Sequence, residues 1–307
     1  MRGGPRHTSG VRAWATRVGA AWAAGAAAVA LLPAAAASGP VSPTSSRVLY
    51  DSSRTGRYQI YVKAPCCDPV LLVHDRGGDD FAPAVSPGGR WVAFTRRVHG
   101  NYDLYLADLT GQRGRVRLTR NPAVDAFPSW SPSGALAFES NRGRSYDIYV
   151  YEGGRIRRLT TNPAVDGLPA WSPDGKQIAF DSNRSGHYQI MVIPASGNGV
   201  ATAVTPAAAH KDVQPVWSPD GSRIAFTSNR SGTFQIYVVD LATRAVTRVT
   251  TSPADDVQPA WSRNGTRIVF TRMRAGRNRL YTVNPDGSGL QKISTTAGEL
   301  PEWSVHS

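Results

Sequence analysis

The stretch LPAWSPDGKQIAFDSNRSGHYQI, Leu168 to Ile190, returns almost unchanged as QPVWSPDGSRIAFTSNRSGTFQI, Gln214 to Ile236. Its P-x-W-S element stands at Pro128–Trp130, Pro169–Trp171, Pro215–Trp217, Pro259–Trp261 and Pro301–Trp303. A degenerate copy, PAVSPGG, begins at Pro83 with Val85 in the tryptophan place. The spacing is about 44 residues, a period at which each repeat is one supersecondary unit that buries its faces only against its neighbours.

Every period has the same internal order. A short apolar piece (PAWS) leads into a turn such as SPDG at Ser172, where proline pre-sets φ and glycine accepts a positive φ. A β-rich triplet follows: VLY at Val48, VAF at Val92, LAF at Leu136, IAF at Ile178 and Ile224, IVF at Ile268. After a polar loop comes a second β-rich run, such as YDIYV at Tyr146 or FQIYV at Phe234, and a short segment ending RLT, RVT, AVT or KIS. Four turn-bounded strands, A to D, are therefore expected per period. They are apolar on both faces, as in sheets stacked around an axis. The unit from Arg47 has B, C and D but no A, and PEWS at Pro301–Ser304 is an A with no B. The expectation is an all-β, six-bladed β-propeller of four-stranded antiparallel blades, with velcro closure by the C-terminal strand.

The recurring P-x-W-S-P-D-G…I-A-F…S-N-R…I-Y-V pattern resembles the TolB-type propeller repeat, a bacterial relative of WD repeats, from about Arg47 to Ser304. The resemblance implies a propeller fold, and a monomer is expected. TolB itself also carries an N-terminal α/β domain, which is expected to be absent here.

Residues 1–37 read as a secretory signal: Arg2, Arg6, Arg12 and Arg17, then the apolar run Val18–Leu32, then small residues ending at Ala37. The alternative is an uncleaved anchor. Residues 38–46 form a linker, and 47–307 the propeller. The expected location is periplasmic, cell-envelope or extracellular, with no integral membrane domain beyond that anchor. The chain carries a formal charge of +13, and Lys63, Lys176, Lys211 and Lys292 are its lysines. Its basic residues are scattered through the repeats beside regular aspartates, whereas a nucleic-acid binder gathers them on one face. No nucleic-acid partner is expected. Cys66 and Cys67 are adjacent, which excludes a long-range disulfide.

Alternating strand directions bring the B–C loops and D–A connections to one rim. The D–A connections carry Asp80, Asp125, Asp166, Asp212 and Asp256. The B–C loops carry Arg54, Arg142, Arg184, Arg230 and Arg274, with Arg96 and Arg97 just before the expected place in the second unit. These are the candidate binding residues. Two readings are open: a recognition rim for a protein or envelope polymer, or aspartates that accept hydrogen bonds from their own loops. Trp130, Trp171, Trp217, Trp261 and Trp303 are expected to pack between blades. No G-x-S-x-G element is present, and no cofactor or catalytic residue is expected. His99, His187 and His210 are weak metal candidates. Some TolB-like polysaccharide lyases use a histidine-rich metal centre, which makes a metal-assisted carbohydrate lyase or hydrolase the alternative to a non-catalytic binding module.

Overall fold

The turn-and-triplet pattern forms antiparallel strands throughout a computed structural model that describes residues 29–32, 47–52, 57–63, 70–71, 77–109, 114–274 and 277–293. The first sheet holds β1 (Val29–Leu32), β2 (Arg47–Ser52), β3 (Gln59–Lys63) and β4 (Val70–Leu71). The next two hold β5 (Asp79–Val85), β6 (Trp91–Val98), β7 (Asn101–Asp108) and β8 (Val116–Arg117), then β9 (Asp125–Trp130), β10 (Leu136–Ser140), β11 (Asp147–Glu152) and β12 (Arg155–Arg158). The fourth holds β13 (Asp166–Trp171), β14 (Gln177–Ser182), β15 (Gln189–Pro194) and β16 (Thr202–Ala203). The fifth holds β17 (Asp212–Trp217), β18 (Arg223–Ser231), β19 (Thr233–Asp240) and β20 (Val246–Arg248). The last holds β21 (Asp255–Trp261), β22 (Ile268–Arg274), β23 (Arg277–Val283) and β24 (Gln291–Lys292).

The expected six-bladed ring with C-terminal velcro closure is corrected. Five blades, β5 to β24, carry the whole repeat, each with its own strand A. The remaining sheet, β1–β4, takes its innermost strand from the apolar run near the N-terminus, with Val29 opposite Tyr50 and Leu32 opposite Arg47. Pro301–Ser304, the segment expected there, lies outside the described residues. Counting strand-B copies gave this unit the standing of a blade although it has no strand A of its own. The open edge of β2 needs only an extended segment with free backbone groups, and VALL provides one. β1 lies against both β5 and β21, so this sheet bridges the first and last blades.

The turn chemistry works as the residues dictate. The Ser172 carbonyl accepts the Gly175 N–H at 2.9 Å, and its Oγ accepts the Gln177 N–H at 2.9 Å. Gly175 sits at φ 72°, where a side chain would be strained. Ser218 and Ser262 repeat the arrangement.

The core lies between blades. Phe94, Phe138, Phe180, Phe226 and Phe270 are fully buried. Four of them stack on the cross-strand tyrosine: Phe94 on Tyr105, Phe138 on Tyr149, Phe226 on Tyr237 and Phe270 on Tyr281, with centroids 5.8–6.0 Å apart. Phe180 faces Met191 instead.

In the five full blades each inner strand is bulged just before its proline, and the bulged residue is left-handed: Ala82, Phe127, Leu168, Gln214 and Gln258 have φ between 50° and 59°. The twist turns the residue's N–H toward the preceding sheet. Ala82 donates to Asp51 (3.3 Å), Phe127 to Thr95 (2.9 Å), Leu168 to Glu139 (3.0 Å) and Gln258 to Thr227 (3.2 Å). The indoles of Trp130, Trp217 and Trp261 donate to the carbonyls of Ala84, Ala170 and Val216 at 3.1–3.2 Å. In each case the donor is on the inner strand and the acceptor on the sheet before it. Trp171 is partly buried in the same register, and its Nε1 has no hydrogen-bond partner. Trp303 lies outside the described residues.

Candidate functional site

The rim expected to gather aspartates and arginines does so, but it turns the carboxylates inward. Asp125, Asp166, Asp212 and Asp256 are completely buried, and Asp80 nearly so. In three blades the S-N-R loop folds its arginine back over the strand. Arg142 Nη2 reaches both oxygens of Asp125 at 2.7 Å, Arg184 both of Asp166 at 3.0–3.1 Å, and Arg230 both of Asp212 at 2.8–2.9 Å. The serine two residues earlier, Ser140, Ser182 or Ser228, accepts from the same guanidinium. The guanidinium also lies over the buried aromatics, 5.1 Å from the Tyr149 ring and 4.8 Å from the Tyr237 ring.

The other two blades reach the same end differently, and one expected residue is displaced. Arg274 is exposed and does not hold Asp256; Arg272 does, through Nε at 2.6 Å and Nη2 at 2.7 Å. Arg96 holds Asp80 through Nη1, which reaches both carboxylate oxygens at 2.8 and 2.9 Å. The reason is register. The strand position opposite the aspartate carries Ser140, Ser182 or Ser228 in three blades but Arg96 or Arg272 in the other two. Where arginine stands there it reaches the carboxylate directly; where serine stands there, arginine comes two residues later. The signal was in the sequence at the second residue after each strand-B phenylalanine. Arg54 lies outside the described residues.

A second set of buried acids escaped the sequence reading. Asp103 pairs with Arg117 at 2.7 Å and Asp147 with Arg158 at 2.8 Å. Burial pushes both carboxyls up, against the pull of those arginines. Burial likewise pushes Asp256 up, while its carboxylate raises Arg272 further. Gln189 and Gln235 stand in the place of Asp103 and Asp147 in the next two blades, and Gln235 donates to the carbonyls of Ser252 and Ala254.

His99 and His187 are exposed, and His210 lies 3.4 Å from Asp212. Among the described residues no three His, Cys, Asp or Glu side chains converge in a group that could hold a metal ion, so the three histidines are not brought together. Cys66, Cys67 and His74 lie outside the described residues. Among the described residues no helix is long and apolar enough to cross a membrane.

Blades of this build, with P-x-W-S-P-D-G turns on one rim and aspartate–arginine locks on the other, define a β-propeller class. The chain matches the family described as the TolB beta propeller domain over residues 26–154 and 204–306, and it belongs to that family. It is similar to the Tol-Pal system protein TolB of Desulfosudis oleivorans, 31% identical over 114 residues, which cover 35% of this chain and 24% of that protein. It is also similar in structure to TolB from Acinetobacter baumannii, with TM-score 0.74 and 24% identity over 83% of this chain and 65% of that one. An oligogalacturonate lyase in complex with manganese shares the fold, with TM-score 0.60 and 17% identity over 81% of this chain and 73% of that one. The match thus spans about a quarter of the curated relative.

Proposed function

We propose that this chain is an exported, non-catalytic binding module that engages a protein of the cell envelope, in a role related to the Tol–Pal system. Membership of the TolB propeller family carries this reading. The folded site supports it: the recurring charges of the repeat hold loops in place, and a rigid scaffold with differing loops suits recognition. The N-terminal leader pattern supports export. The test is a cross-linking capture from cell-envelope extract with the full chain as bait. A defined envelope protein, retained after stringent washing and competed by unlabelled chain, is the expected result. No competed partner would sink the reading.

The alternative, a metal-assisted carbohydrate lyase, draws on the fold shared with the manganese-bound lyase. It is checked by metal analysis after manganese loading and by cleavage of polygalacturonate. Stoichiometric manganese together with cleavage would replace the binding reading.

A further inference from the structure

The two rims differ in what they show to solvent. On the rim of the A–B turns and C–D hairpins, Asp174, Asp220 and Asp286 are exposed, and local hydrogen bonds hold their carboxyls below the usual range. On the opposite rim the aspartates of the D–A connections and of the C strands are engaged. Asp80, Asp103, Asp125, Asp147, Asp166, Asp212 and Asp256 are locked by arginines as above, Asp79 pairs with Arg97, and Asp255 accepts the Phe234 N–H at 3.0 Å. Arginines remain on that rim. Arg120, Arg144 and Arg274 are exposed and, among the described residues, paired with no carboxylate.

Arg144 adds an independent observation. It sits at φ 83° in the B–C loop of its blade, at the place where the next two blades have Gly186 and Gly232, at φ 90° and 100°. A side chain there is strained, and strain at an exposed position points to use rather than to packing.

Resting on the binding-module reading, we propose that this rim docks an acidic, extended protein segment, with Arg120, Arg144 and Arg274 pairing with its Asp or Glu side chains. The three arginines stand on separate loops, Arg120 between β8 and β9, Arg144 between β10 and β11, and Arg274 at the end of β22. That arrangement suits carboxylates spaced along a chain, each met by a planar fork of donors, and not a single phosphate cradle.

The probe is a fluorescein-labelled peptide of alternating glutamate and serine, with its glutamine counterpart as blank, read by anisotropy on the full chain. R120E/R144E/R274E is expected to weaken binding by at least about tenfold, whereas R155E/K176E/R263E on the other rim, with the same change in net charge, stays within about twofold. Arg144→Gly keeps the experiment decisive if the triple variant folds poorly: it should melt higher than the parent and still bind more weakly. Equal loss in both triple variants, no binding above the blank, or tighter binding of polyphosphate than of the peptide would each overturn the proposal. If the envelope partner is still captured by the rim variant, this inference falls and the binding-module reading stands; if no partner is captured by the parent, that reading falls first.

Discussion

A guanidinium folded over a buried aspartate is the unit from which the loop rim is made. Removing one partner leaves an uncompensated charge in the interior. Arg142→Ala should therefore cost about 3–5 kcal/mol, because Asp125 has no exposure with which to regain water. The last blade gives a sharper contrast. Arg272→Ala is expected to cost a similar amount, while Arg274→Ala, two residues on, should stay within about 0.5 kcal/mol, because its side chain is in solvent. Chemical denaturation of the three variants checks this; equal costs at 272 and 274 would refute the register argument. The turns on the other rim predict acid behaviour. The Ser218 hydroxyl and the Ser222 N–H hold the Asp220 carboxyl down to about 2. A depressed carboxyl stabilises the fold above its unfolded value, and that contribution is lost as pH falls from about 4 through 2. Asp220 is largely exposed, so the term is small. Asp220→Asn should flatten the stability curve in that window, lowering stability slightly at pH 7 and leaving it unchanged near pH 2, as read by urea denaturation.

At the scale of strands, the bulged inner strand is the distinctive element. Its left-handed residue sits before a proline and hands an N–H to the neighbouring sheet. Glu139→Ala removes the acceptor for Leu168 and should cost about 1–3 kcal/mol, the penalty of a buried donor left alone. Strand order, turns and the alternation of A to D were legible because each is written locally: Pro and Gly at turns, β-branched triplets between. The aspartates and their rim were legible for the same reason. The exchange of Arg272 for Arg274 was written locally too, two residues after the strand-B phenylalanine, but it depends on which residue lies across the strand pair, and a loop motif read by eye ignores that neighbour. The second set of acids, Asp103 and Asp147, was missed because each is paired with an arginine on the next strand and carries no motif of its own.

For the whole molecule, the first sheet ties the N-terminal segment to the propeller. β1 lies inside the stretch that reads as a secretory leader, so removal after Ala37 would take it away. A chain beginning at Ser38 should have β2 as an unpaired edge and unfold with a stability lower by about 2–4 kcal/mol, the worth of a few ladder hydrogen bonds. Side-by-side melting of this chain and the full-length chain checks it. Identical melting would mean that β1 does not hold the sheet. This closure was the one large feature the repeat could not announce, because a strand recruited from outside the period has no period to be recognised by. The bonds between sheets have one further consequence. The amides of Ala82, Phe127, Leu168 and Gln258 and the indoles of Trp130, Trp217 and Trp261 reach backward along the chain, into acceptors on a sheet made earlier. A polypeptide leaving the ribosome from its N-terminus thus meets, with each new blade, a neighbour already carrying the oxygens it needs. Growth is vectorial, and the half-made propeller always ends in a surface prepared to receive what is synthesised next.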